Sequence, residues 1–333
     1  MDCVQIGFDV YILKFMKTAI PSVSKQLSEE QIFQAINKNY SQLTNVWFNF
    51  QMEWLRSSYQ SFNDHDKFLI IQYLVLNTLN FLSNNFVKLD FDTYYAKNQM
   101  EIANFSIINI SRDLYISKET TRRKILELEN IGAIVRDKKK IILNRSAFKY
   151  QKPNQSIVNT SYLLSKVTET LTKSGDMDKK FNSEIIELHM KKNFTHCWKL
   201  FYEMQIPYVL SWKKYFGDIE TWNIWGIIAT QKSFKTDINK FKRLGRTKYL
   251  EVMFKDIITG INAMSISELS GVPRATVVRK INNLLKKKLI FVDERKLYSA
   301  GNIDTKKFIN MSQNSMSLLT TFFCKIINLL QTN

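Results

Sequence analysis

Residues 110–134 and 266–290 carry one pattern twice, at a constant offset of 156 and without a gap. Ser111, Thr120, Arg123, Lys124, Ile125, Leu128 and Ile134 recur as Ser267, Thr276, Arg279, Lys280, Ile281, Leu284 and Ile290. The match runs on to Asp137/Asp293 and Lys140/Lys296. Whatever this unit folds into, the chain must accommodate it twice. Each copy reads as a short helix (about 109–115 and 266–270), a turn, and a longer helix (about 118–131 and 274–287). On the longer helices Thr121, Ile125 and Leu128, and likewise Val277, Ile281 and Leu284, fall at i, i+4, i+7 and share one face. The opposite face presents Lys118, Arg122 and Arg123, or Arg274 and Arg279.

The termini of these helices are also legible. Ser265-Ile-Ser-Glu268 has the form of a capping box and sets an expected start for the second short helix, with Asn109 as the cap of the first. Ser117 can cap the first long helix by accepting from its free N–H groups; Pro273 at the matching place suits a helix entrance through its fixed φ. The Leu284–Leu289 run (LLKKKL) closes the second long helix, where lysines favour the negative end of the dipole. After each long helix, two β-branched or aromatic runs flank a polar turn, at Ile134–Leu143 and Ile290–Tyr298, the pattern of a small hairpin.

Charge follows the repeat. The 333 residues contain 48 Lys and Arg against 30 Asp and Glu, a net charge of +18. Residues 1–104 hold 8 basic and 10 acidic side chains, so the whole excess lies beyond residue 104. It is dense around the repeats, with 11 basic against 5 acidic residues in 105–150 and 16 against 6 in 232–301. Such asymmetry points to a polyanionic partner for the basic regions and a separate task for the N-terminal part. A lysine-rich solvated surface is the plainer alternative.

Helix, turn, helix and basic hairpin together resemble the winged helix-turn-helix module of bacterial transcription regulators of the GntR, MarR and Crp-like groups. The resemblance rests on Ile110-Ser-Arg-Asp-Leu-Tyr-Ile-Ser-Lys-Glu-Thr-Thr-Arg-Arg and its second copy, and covers about a quarter of the chain. Tyr115 departs from the usual turn glycine, which Gly271 supplies in the second copy. The resemblance implies that each longer helix enters the major groove of double-stranded DNA by its first turns. Lys118, Thr120 and Arg122, following Ser117, or Arg274, Thr276 and Arg279, would then reach base edges. Arg123 and Lys124, with Arg279 and Lys280, would meet phosphates. Lys138, Lys139 and Lys140, or Arg295 and Lys296, would lie on the wing and approach the backbone or minor groove. A solvated helix face, with Glu119 pairing to Arg123, is the alternative for any one of them.

Little else carries chemistry. Nine glycines form no phosphate-cradling motif and disfavour a turn-rich all-β fold. Cys3, Cys197 and Cys324 are scattered, which fits a reducing cytosol rather than a disulfide framework. The first residues lack the features of a signal peptide, and the apolar run Phe68–Leu82 is too short and too interrupted to span a bilayer, so it reads as a buried helix. His189, His196 and Cys197 match no tetrahedral zinc spacing, and no catalytic set is legible, so neither an enzyme nor a cofactor is expected. Trp198, Trp212, Trp222 and Trp225 read as core or interface rather than a stacking platform. The basic, aromatic stretch Phe234–Tyr249 could track phosphates or form an amphipathic helix facing the core.

The expected architecture is mostly α: two tandem winged helix-turn-helix modules with small β-hairpin wings, embedded in helical bundles. An N-terminal helical region (1–104) leads into the first module (105–150), a linker (151–180) follows, and a second helical region (181–258) leads into the second module (259–303). A C-terminal helix (304–333) packs on the body or on a second subunit, a homodimer being one option. Trp47-x-x-Phe50 and Trp198-x-x-Phe201 hint that the duplication extends upstream. The function expected is sequence-specific DNA binding by a cytoplasmic, nucleoid-associated bacterial regulator, with no membrane partner and no identifiable small-molecule effector. A plasmid- or phage-type replication initiator and a winged-helix protein-interaction module are the alternatives.

Overall fold

The computed structural model describes residues 25–137, 140–148, 152–235, 244–255, 260–301 and 305–332. The protein is mostly helical with two small antiparallel sheets. The first half opens with α1 (Glu29–Lys38), α2 (Tyr40–Phe62) and α3 (His65–Asn84), followed by the short α4 (Phe91–Tyr94) and strand β1 (Gln99–Glu101). Then come α5 (Ile107–Asp113), α6 (Lys118–Asn130), the hairpin β2 (Ile134–Asp137) and β3 (Lys140–Asn144), and α7 (Asn154–Ser174). The second half contains α8 (Ser183–Lys192), α9 (Phe194–Phe216), α10 (Ile219–Lys235), α11 (Arg246–Lys255), α12 (Ala263–Ser270) and α13 (Arg274–Lys286). The hairpin β4 (Ile290–Val292) and β5 (Tyr298–Ala300) and the helix α14 (Thr305–Gln331) complete it.

The repeat therefore covers nearly every element. Helices α1, α2 and the start of α3 match α8, α9 and the start of α10 at an offset of 154, while α6 matches α13 at 156. Local chemistry follows suit. Ser28 and Asn182 each accept a hydrogen bond from the third backbone N–H of the helix they begin. Asp64 and Asp218 do the same for α3 and α10, each cap being worth about 1 kcal/mol. The upstream hint is thus upheld in substance but not in register: Trp47 corresponds to Phe201, not to Trp198.

The two halves pack reciprocally. Helix α9 lies against α3, and α2 against α10; α7 lies against α8, and α14 against α1. Such exchange of equivalent contacts is the mark of a two-fold relation, here approximate and within one chain. Near its axis the equivalent side chains Gln51 and Gln205 meet, each amide donating to the other's carbonyl oxygen at 3.0 Å. Both glutamines are buried, and the exchange satisfies amides that would otherwise be costly to bury. Among the described residues, two largely buried ion pairs cross between the halves, Lys213 to Asp66 at 2.9 Å and His65 to Glu220 at 2.9 Å. The remaining His65 nitrogen faces the Leu55 carbonyl at 3.0 Å, so both ring nitrogens point at acceptors. Burial alone would raise the Glu220 carboxyl, but the hydrogen bond and charge of His65 overcome it and bring it down to about 2.

The linker expectation is corrected. The stretch 151–180 is not a linker: α7 occupies Asn154–Ser174 and buries Ile157, Leu163, Leu164, Val167 and Leu171 against α2 and α8. Its apolar positions recur at helical spacing, which the polar residues between them obscure. The C-terminal helix is its counterpart, begins near 305, and packs on the body, with Phe322, Ile326 and Ile327 buried. Asn328 ties it to the other end of the chain through both the N–H and the carbonyl of Leu27, at 2.8 Å each. The run Phe68–Leu82 is the buried helix α3, and the four tryptophans lie in the core. No helix of the described residues is long and apolar enough to cross a membrane. Residues 1–24 and the central part of Phe234–Tyr249 lie outside the described residues, although Tyr249 and Leu250 at its end are buried.

Candidate nucleic-acid interface

The two repeated units are braced in the same way. Helix α5 begins after Ser106, whose hydroxyl accepts from Asn109 N–H, and α12 after Asn262, whose side chain accepts from Ser265 N–H at 2.9 Å. Both starts lie three residues before the expected caps at Asn109 and Ser265, since an acceptor placed earlier takes the role. The turns are closed by equivalent serines, Ser111 Oγ donating to Ile116 O and Ser267 Oγ to Val272 O, both at 2.7 Å. Each turn also needs one left-handed residue. Gly271 adopts it at φ 72° without cost, whereas Tyr115 adopts it at φ 51° with its ring exposed.

The longer helices then present the expected faces. Thr121, Ile125 and Leu128 are buried in α6, and Val277, Ile281 and Leu284 in α13. Ser117 Oγ accepts from Thr120 N–H at 3.1 Å, while Pro273 offers no side-chain cap. Lys118, Arg122 and Arg123 are exposed on α6, Arg274 and Arg279 on α13, with Thr120 and Thr276 half-buried beside them. Arg123 meets Glu127 at 3.7 Å, not the Glu119 that spacing also allowed, and a pair so exposed holds it weakly. The lysine run after Leu285 closes α13 as expected, with Lys287 at its C-cap.

Lys124 and Lys280 are placed differently from the expectation that they meet phosphates. Both turn inward: Lys124 pairs with Asp64 and Lys280 with Asp218, the latter at 2.6 Å. These aspartates cap α3 and α10, so each lysine pins the longer helix of its repeat to the body behind it. The identity Lys124/Lys280 in the repeat thus marks a structural tie, which spacing alone could not separate from a surface contact. Lys67 adds a second tie in the first half, to Glu127 at 3.0 Å.

On the hairpins, the first sheet has the order β1-β3-β2, and Met100 lies opposite Leu143, which lies opposite Ile134. Lys140 is exposed and paired with Glu101 at 2.9 Å, which holds its ammonium above the ordinary lysine range. Lys138 and Lys139 lie outside the described residues. In the second hairpin Asp293 shapes the turn by accepting from the N–H groups of Arg295 and Leu297, leaving the Arg295 and Lys296 side chains exposed. Arg112, inside the repeated motif, is exposed at the end of α5 and bonded to Asp113 at 2.7 Å.

Among the described residues, no group of three or more His, Cys, Asp or Glu side chains could hold a metal ion. Cys197 is buried, and burial pushes its thiol up to about 12. No family model matches this chain, and the search of curated proteins finds no match.

Proposed function

We propose that this chain binds double-stranded DNA in a sequence-specific way, as a transcription regulator, through two winged helix-turn-helix modules held about the approximate two-fold. The observation that carries this reading is the repeated cationic helix face. Lys118, Arg122 and Arg123, and Arg274 and Arg279, stand exposed on helices whose other faces are buried and whose inward lysines, Lys124 and Lys280, are tied to the scaffold. A surface that was merely solvated would have no need of bracing duplicated so closely. The helices, related by the two-fold as in a dimeric regulator, would address two half-sites from one chain. Arg295, Lys296 and Lys140 would add backbone contacts from the wings, and Lys124 and Lys280 drop out of the contact set. A cytoplasmic, nucleoid-associated place follows from this reading.

A second reading, a replication initiator of the plasmid or phage type, gains from one observation. The two helices carry different side chains, Lys118-Glu-Thr-Thr-Arg-Arg against Arg274-Ala-Thr-Val-Val-Arg, so the preferred site is not palindromic. A directional site can be repeated head to tail, as at an origin. Selection of bound fragments from the source genome separates the two: promoter fragments favour regulation, arrays of short direct repeats favour initiation. For either, affinity should fall by about 10³-fold or more between 50 and 200 mM salt, and exceed non-specific binding by roughly 10³-fold. A flat salt response with no enriched sequence would leave the third alternative, a protein-interaction module.

A further inference from the structure

The two-fold relates two pockets that differ in lining. Phe68, Ile71 and Gln72 of the first correspond to Trp222, Trp225 and Gly226 of the second. The second pocket is narrowed by its tryptophans, Trp212 and Trp222 stacking at 5.8 Å, and retains about 90 Å³. The first retains about 420 Å³, within the ~300–1,000 Å³ of small-molecule sites.

The lining of the two cavities differs in charge as well as volume. Among the described residues no charged side chain lines the second cavity, whereas Arg56, Arg145, Lys152 and one acid, Glu53, line the first. Arg145 is only 4% exposed. Its guanidinium lies 4.4 Å from the ring centres of both Tyr94 and Tyr95 and donates to the carbonyls of Tyr94 and Lys97 at 2.8 and 2.9 Å. Among the described residues no carboxylate pairs with it. A buried cation without a counter-ion is costly, and an anion in the cavity would relieve that cost. A polar atom without a partner points the same way: Gln72 is 2% exposed, and its Oε1 has no hydrogen-bond partner. The walls between these groups are aromatic, with Trp54, Phe68 and Tyr202 among them.

We propose that this cavity binds a small planar aromatic anion, its ring against the aromatic walls and its carboxylate or phosphate toward Arg145 and Lys152. A ring N–H or amino donor would meet Gln72 Oε1. The site lies between α2, α3, α9, the turn at 145–148 after β3 and the start of α7. It stands independently of the DNA-binding reading, because its test uses the free protein.

The probe is 1-anilinonaphthalene-8-sulfonate, followed by its fluorescence on the full chain, with AMP and indole-3-acetate as competitors representing the phosphate and carboxylate forms. The parent should bind the probe and release it to at least one competitor. Ile71→Trp, which copies the residue that narrows the second pocket, and Lys152→Glu at the exposed rim should each weaken probe binding at least tenfold. Should Ile71→Trp not fold, Lys152→Glu carries the test at a surface position. Undiminished probe binding by the folded variants, or no displacement by either competitor at millimolar concentration, overturns the proposal.

Discussion

The two halves of this chain share a fold and several of its helix caps, yet the pocket of one is narrow where that of the other is roomy. At equivalent positions Trp222 and Trp225 fill the second half, and Phe68 and Ile71 leave about 420 Å³ in the first. Gln72 replaces Gly226, and buried Arg145 adds a charge. The outer helices differ in sequence, Lys118-Glu-Thr-Thr-Arg-Arg against Arg274-Ala-Thr-Val-Val-Arg, but both keep a cationic face and an inward lysine on a helix-capping aspartate. The difference teaches that one backbone plan, held by the same inward ties, accommodates both a filled and a roomy interior.

The largest expected effect breaks this comparison directly. Trp222→Ala should cost about 4 kcal/mol, because a large aromatic leaves a void in a packed region. Phe68→Ala, beside space that already exists, should cost about 2 kcal/mol. Urea denaturation of the two variants measures the difference; equal losses would mean that the first cavity is not open in solution.

Next come the inward lysines. Lys280→Met should destabilise by about 2–3 kcal/mol, below the ~3–5 kcal/mol of a fully buried pair, because Asp218 keeps its bond to the Thr221 N–H. Lys124→Met should cost less, since Lys67 to Glu127 remains as a second tie. If either variant leaves stability unchanged and weakens DNA binding instead, that lysine belongs to the surface after all.

A smaller effect tests the seam between the halves. The Glu220 carboxyl is brought down to about 2 from an ordinary 4.5. A depressed carboxyl contributes stability that is complete above its unfolded pKa and is lost as pH falls through the folded one. Stability should therefore drop by on the order of 2 kcal/mol between pH 4.5 and pH 2. Glu220→Gln should be less stable at neutral pH and should flatten that segment of the curve, as read by melting temperature against pH.

Much of the outer architecture was legible because it depends on local chemistry. The spacing of Thr121, Ile125 and Leu128 predicted both the limits of α6 and its buried face, and the same pattern predicted α13. The short helices were placed late because Ser106 and Asn262 compete with nearby residues of equal capping ability. Helix α7 reads as a linker from sequence because serine, threonine and asparagine hide an apolar stripe that only its neighbours make visible. The inward turn of Lys124 depends on Asp64, sixty residues away, and no local pattern encodes it. The cavity draws on several distant segments, and its signature in the sequence is the replacement of tryptophan by smaller residues at an offset of 154, a register recognisable only once the helices are aligned.

The central claim is that both halves meet DNA through their outer helices. Its most direct test is the footprint of the parent on its selected fragment, beside Arg122→Ala/Arg123→Ala and Arg274→Ala/Arg279→Ala. Protection in two blocks, with each double variant losing a different block and weakening affinity by tenfold or more, is the predicted result. Parent-like protection and affinity in both double variants would contradict it.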